Sequence, residues 1–421
     1  MKLKYLLVLI FLCVDVNARP SDLEQELFKA VQNGDIEECK TLIENGANVN
    51  AKFAEELGYL HYAASWGQVE IIKLLIEHGA DVHAEAQNKF TPIFYAAAKG
   101  KTGAIKVLIE NGANANAEAE KKQSPLHKAT EYGRIDAIKC LIKYGANANA
   151  EDEKKQTPLY FAINAGKTEV CKTLIENGAN VNAEDKNKRS PLHCVSSIPW
   201  GEMAIMQLLI ENGANVNAGD KDQDTSLHYT QVWGNIEAIK YLVAHGANVN
   251  AENSDKRTPL HVAVSGVQTQ SVEFLIESGA NVNAKDHMGE SPIFTATAKG
   301  HLKQIELLVE NGANVNEENK MKESPIHQAV RWDFPVQTEV IKYLIDHGAN
   351  VNATDENKQT CTMKAAMKGY LEQIKCLVEH GANVNAVDKD QHTSLYYAVQ
   401  NGRTEVAEYL REYGANFHAK M

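Results

Sequence analysis

Between residues 124 and 149 the apolar side chains fall at helical spacing twice, with a polar break between the two runs. Leu126, Ala129 and Thr130 share one face of a helix opened by Ser124-Pro125, and Ile138, Leu141 and Ile142 form the stripe of a second, from about Ile135 to Tyr144. Ser124 suits an N-cap, and Pro125 the first helical position, where a missing amide hydrogen costs nothing. Tyr132-Gly133 ends the first helix. Gly145 ends the second, because the left-handed C-cap conformation is cheap only for glycine. The polar stretch from Asn147 to Gln156 then reads as a hairpin leading into the next Thr157-Pro158.

The same pattern recurs along the chain. A glycine heading a Gly-Ala-Asn or Gly-Ala-Asp triplet stands at Gly46, Gly79, Gly112, Gly145, Gly178, Gly213, Gly246, Gly279, Gly312, Gly348, Gly381 and Gly414, at intervals of 33 residues interrupted once by 35 and once by 36. A fixed period in this range means stacked supersecondary units, none able to bury its apolar face alone. Composition takes its meaning from the period. A chain of 421 residues, 44% hydrophobic and 23% charged, would ordinarily divide into several domains. Yet 12 of its 27 Gly head the triplets, and seven of its 10 Pro follow Ser or Thr at the start of a first helix. Residues 19–421 are therefore expected to form one elongated domain: an N-terminal cap repeat over 21–50, ten internal repeats over 51–385 and a C-terminal cap repeat over 386–421.

Ser124-Pro125-Leu126-His127, Ser190-Pro191-Leu192-His193, Thr258-Pro259-Leu260-His261 and Ser324-Pro325-Ile326-His327, each followed by a Gly-Ala-Asn segment, resemble the ankyrin repeat. The resemblance covers nearly everything from Ser21 to Ala419. It implies an all-α ankyrin-repeat solenoid of about twelve hairpin-helix-helix units, roughly 100 Å long at 8 to 10 Å per helix layer. Polar outer residues at both ends, such as Glu24 and Glu26 or Glu405 and Glu408, read as caps and predict a complete array. In the sixth repeat the run Ser196 to Trp200 lengthens the inter-helix turn by two residues, and in the tenth the run Trp332 to Val336 lengthens it by three. The eleventh repeat reads Thr360-Cys361-Thr362-Met363, which predicts a less well anchored first helix.

An enzyme needs a few groups placed once, whereas the polar residues here recur with the period. His61, His127, His193, His228, His261 and His327 occupy one slot near the start of the first helix, where a ring bonded to backbone and bridging two repeats is expected. His78, His245, His347 and His380 precede a triplet glycine, where a cation suits a helix C-terminus. No P-loop, Gly-x-Ser-x-Gly, His-Glu-x-x-His or paired Cys-x-x-Cys motif occurs. No catalytic residue, metal site or cofactor is expected. Cys39, Cys140, Cys171, Cys194, Cys361 and Cys376 read as buried free thiols, since four of them replace Ile, Leu or Val of other repeats; Cys361 with Cys376 is the pair most worth testing for a disulfide. Asn352-Ala353-Thr354 is the single glycosylation sequon.

Two sets of residues are candidates for binding one or more protein partners. Trp66, Tyr132, Trp200, Trp233 and Trp332 end first helices, and aromatic side chains are frequent interface anchors. Lys89, Lys122, Lys155, Lys188, Lys256, Lys322 and Lys358 stand in the hairpins two residues before the Ser or Thr of the helix start, where only Gly289 keeps a glycine. In the ankyrin family these helix ends and hairpin tips line the groove that takes partners, so the resemblance implies binding there. The alternative is that each ring only covers the next turn and each lysine only aids solubility. An acidic balance of -12 argues against nucleic acid, and a monomer is expected.

Residues 1–18 differ from the rest. Lys2 and Lys4 precede an apolar run from Tyr5 to Val14, and Val16-Asn17-Ala18 offers small or aliphatic residues at a cleavage site, the layout of a secretory signal peptide. The run is too short to span a bilayer, which needs about 20 residues. Cleavage removes Lys2, Lys4 and Asp15 and takes the formal charge from -12 to -13. Secretion is unusual for ankyrin-repeat proteins and suggests, by analogy, a venom, salivary, parasite or symbiont protein. A membrane-active toxin related to the repeat tracts of arthropod neurotoxins is one alternative. Another is an intracellular scaffold with an uncleaved leader, whose repeat asparagines, such as Asn182, are open to hydroxylation. Amino-terminal sequencing of the native protein is expected to start at Arg19; a retained Met1 would sink the secretory reading.

Overall fold

The computed structural model describes residues 21–199, 202–331 and 336–417. The leader, Trp200 and Trp332 lie outside the described residues. Two compact units divide the chain: the first runs to Val195 and includes Glu202–Asn215, and the second takes residues 196–199 and the chain from Val216.

Among the described residues the first unit contains six helix pairs: Asp22–Asn33 with Ile36–Glu44, Tyr59–Trp66 with Val69–Glu77, Pro92–Lys99 with Thr102–Glu110, Pro125–Glu131 with Ile135–Lys143, Pro158–Asn164 with Thr168–Glu176, and Pro191–Ser196 with Met203–Glu211. The second also contains six: Ser226–Trp233 with Ile236–Ala244, Pro259–Ala263 with Thr269–Glu277, Pro292–Lys299 with Leu302–Glu310, Pro325–Ala329 with Val336–Asp346, Cys361–Lys368 with Leu371–Glu379, and Ser394–Gln400 with Thr404–Glu412. Among the described residues no strand forms; the hairpins show only the isolated bridges Lys52 to Gly58, Gly219 to Thr225 and Thr354 to Thr360. The fold is all-α, as the pattern predicts.

Burial follows the periodic stripes. Leu126, Ala129, Thr130, Ile138 and Leu141 are buried, and Ala137 joins them, while Ile142 is only half-buried. Each fully buried Leu or Ile contributes about 1.5–3 kcal/mol. Because every helix pair is short, with second helices of 9 to 11 residues, its stability depends on the neighbouring pair rather than on helix propensity.

Polar ties join successive repeats. His127 Nδ1 accepts from the Ser124 amide at 3.1 Å, which leaves its proton on Nε2 to donate to the Gln156 carbonyl of the next hairpin at 3.1 Å. His228 makes the same pair of bonds to Thr225 and Arg257, and His261 to Thr258 and Glu290. A second tie uses asparagine. In the first unit the Asn149 amide donates to the Gly178 carbonyl at 3.0 Å and its oxygen accepts from the Asn180 amide at 2.7 Å. Asn50, Asn116 and Asn182 repeat this within the same unit, and Asn250, Asn283, Asn316 and Asn352 within the second. The sequon asparagine, Asn352, thus holds its carboxamide between Gly381 and Asn383.

The helix-ending histidines His78, His245, His347 and His380 bond the carbonyl four residues back at 2.7 to 2.9 Å. All six described cysteines are free thiols, and Cys361 is completely buried. The Cys361–Lys368 helix is anchored by charge where the sequence lacks the usual histidine: Lys364 Nζ lies 2.5 Å from Glu323 and 2.8 Å from Asp355. Burial raises both carboxyls, but the ammonium outweighs it and holds them below their ordinary range.

Burial pushes the His61, His127, His228, His261 and His327 rings below their ordinary value of 6.5, His61 to about 4. The unfolded chain therefore binds more protons than the native one below pH 6.5, and stability falls as pH drops from about 6.5 toward 4. Glu317, whose carboxyl burial raises to about 7, opposes the trend, because its protonated form is favoured in the fold. With five rings against one carboxyl, the melting temperature is expected to decrease steadily from pH 7 to pH 5; a flat profile would contradict neutral buried histidines.

Candidate protein-binding site

The hairpin tips take one of two shapes, and one residue decides which. Asp152 accepts from the Lys154 and Gln156 amides at 2.8 Å through the same oxygen, and the Lys155 amide donates to the Asp152 carbonyl. This braced turn is followed by a single left-handed residue, Lys155, at φ 59°. Asp185, Asp220, Asn253, Asp286, Asn319, Asp355 and Asp388 brace the later hairpins in the same way. Phe53, Ala86 and Ala119 occupy the slot in the first three hairpins and offer no acceptor. Those tips instead carry two left-handed residues in succession, Glu55 and Glu56, Asn88 and Lys89, Lys121 and Lys122.

All seven predicted lysines, Lys89, Lys122, Lys155, Lys188, Lys256, Lys322 and Lys358, have φ between 56° and 59°. The left-handed shape that glycine would favour is kept, at a cost of about 1 kcal/mol for each side chain. All seven are exposed.

The helix-end aromatics differ in environment. Trp66 is half-buried and packs against Tyr62, with ring centroids 5.5 Å apart, and against Phe28 at 6.5 Å. Tyr132 is 53% exposed and Trp233 48%, so both leave much of their ring area open to solvent. Within the second unit, Trp233 Nε1 donates to the Ser197 carbonyl in the lengthened turn at 3.0 Å. Val232 and Val267, which the sequence pattern did not single out, are also exposed in this unit.

A further set of residues went unnoticed in the sequence. The residue after the histidine slot is Tyr62, Tyr95, Lys128 and Phe161 in successive repeats of the first unit. Lys128 lies 5.3 Å above the Phe90 ring and 2.9 Å from Glu131, and Tyr95 meets Phe90 edge-on at 6.3 Å. Phe90 and Phe161, with Lys128, Glu131, Gln123 and Gln156, line a depression of about 500 Å³. Its walls come from hairpins and its floor from first helices. The signal was available as an aromatic-rich column at fixed repeat register, but nothing in the spacing said that this column faces solvent.

Tandem hairpin-helix-helix repeats with variable exposed tips and helix ends define a helical repeat protein. The chain belongs to the ankyrin-repeat family: the family described as ankyrin repeats (3 copies) matches residues 3–86, 82–152, 126–220, 197–286, 272–355 and 337–421. Ankyrin repeats are protein-protein interaction scaffolds and are typically non-catalytic. A search of curated proteins finds no match.

The left-handed lysines give a direct test of turn strain. Lys155→Gly is expected to raise stability by up to about 1 kcal/mol, while Lys155→Val, with a β-branched side chain at positive φ, lowers it. Urea midpoints that move the other way would show that the tip is unstrained.

Proposed function

We infer that the chain is a secreted, non-catalytic scaffold whose helix-end aromatics and hairpin tips hold a protein partner. The observation that carries this reading is the exposure of Tyr132 and Trp233 at positions that close first helices, where a smaller or polar residue would serve the helix equally well. Half-exposed aromatic rings on a rigid scaffold lose little conformational entropy on binding and supply much of the energy of small interfaces. Secretion rests on the leader pattern of residues 1–18. No described helix is long and apolar enough to cross a membrane.

Affinity capture with the mature chain, compared with a Tyr132→Ala, Trp233→Ala variant, tests the binding role. Recovery of the specific partner is expected to fall by roughly tenfold or more. Equal recovery by both proteins, with melting temperatures unchanged, would remove the helix ends from the interface.

A further inference from the structure

Beyond its first tip, which carries Glu55 and Glu56, the hairpin tips of the first unit do not share the acidic character of the whole chain. The tips following Ala86, Ala119, Asp152 and Asp185 carry seven lysines, Lys89 among them, against only Glu120 and Glu153, a balance of +5 in a protein whose net charge is -12. The excess is concentrated in three consecutive tips, which each present a pair: Lys121 with Lys122, Lys154 with Lys155, and Lys186 with Lys188. All six are exposed. The nearby ion pairs, Lys128 with Glu131 and Arg189 with Asp185, use none of them. Adjacent tips are bonded edge to edge, the Glu153 amide to the Lys121 carbonyl at 2.8 Å and the Lys186 amide to the Lys154 carbonyl at 3.0 Å. The pairs therefore form one continuous basic edge instead of three separate loops.

This edge borders the depression that Phe90 and Phe161 line, together with Lys121 itself. We propose that the first unit binds an acidic, extended peptide segment of its partner, with carboxylates on the paired tip lysines and one apolar side chain seated between Phe90 and Phe161. Repeats stack at about 8 to 10 Å, and an extended polyproline-II segment advances about 9.3 Å per three-residue turn, so an acidic residue at every third position faces successive pairs. Gln123 and Gln156 on the walls offer amides to the peptide backbone. Lys128, which lies over the Phe90 ring, is held by the partly exposed Glu131, a carboxylate that one from the partner can replace. The proposal rests on the protein-binding reading above and narrows it to one partner chemistry.

The test uses the mature protein and a fluorescein-labelled peptide of about twelve residues with Glu at every third position and a central Phe, long enough to cross three tips. Fluorescence anisotropy is expected to show binding that weakens with added salt. It should fall at least about tenfold in Lys121→Glu, Lys154→Glu, Lys186→Glu protein, and little in Lys256→Glu, Lys322→Glu, Lys358→Glu protein. A peptide with Gln for Glu, or Ala for the Phe, is expected to bind more weakly. Equal binding by both charge-reversed proteins, equal binding of the Gln peptide, or no binding at all overturns the proposal. So does lysine-dependent capture of heparin or phosphatidylserine vesicles without the peptide, which would assign the edge to another polyanion. If the peptide fails while partner capture still depends on Tyr132 and Trp233, only the acidic chemistry is lost; failure of both removes the binding reading itself.

Discussion

Each repeat leaves carbonyls bare that only its neighbour can close. A hairpin's outgoing strand ends in a carbonyl such as that of Gln156, and a second helix ends in one such as that of Gly178; both point away from their own repeat's donors. The His127 ring and the Asn149 carboxamide of the preceding repeat reach them. An isolated helix pair makes neither bond and leaves its apolar stripe exposed, while inside the array a buried carbonyl robbed of its ring costs about 1–3 kcal/mol. The burial of the histidines and the near-constant spacing of the repeats follow from this nearest-neighbour dependence.

Where a tie is missing, other chemistry takes its place. Tyr160 stands in the histidine slot and its hydroxyl donates to the Ala183 carbonyl at 2.8 Å. Phe294 has no donor to offer, and there Glu317 enters from the following hairpin at a position occupied elsewhere by alanine, bonding Ser291 at the helix start. Met363 is likewise inert, and Lys364 with its two carboxylates secures that helix. Three unrelated side-chain chemistries thus meet one geometric demand. Turn ends are treated similarly: Arg134 reaches back to the Ala98 carbonyl at 3.1 Å, placing a cation at the C-terminus of the preceding repeat's first helix.

The fold was legible because the information is repeated. A serine before proline, a histidine two residues on and a glycine after the second helix each recur in register, so an atypical copy such as the eleventh does not obscure the rest. The surface was less legible. Trp66 and Trp233 share a slot, yet one is packed by Phe28 and Tyr62 and the other is half exposed, because neighbours in three dimensions differ where register does not. The Phe90 and Phe161 seat combines a hairpin residue with a helix residue two repeats away, a juxtaposition that no single repeat contains. The two turn shapes were written in the sequence as Asp or Asn against Ala or Phe, but the consequence became readable only once the side-chain bonds were seen.

The braced tip also bears on how the chain withstands digestion. A lysine on an exposed loop is ordinarily the first bond a trypsin-like protease cuts, and such an enzyme must draw several residues on either side into an extended strand. Here Lys155 is held in a left-handed turn, Asp152 pins the amides on both sides of it, and the adjoining hairpins are bonded to one another. Extending the tip means breaking the brace and both neighbouring contacts together. The lysines of the braced hairpins, Lys155 among them, are accordingly poor sites for a lysine-specific protease while the array stays folded.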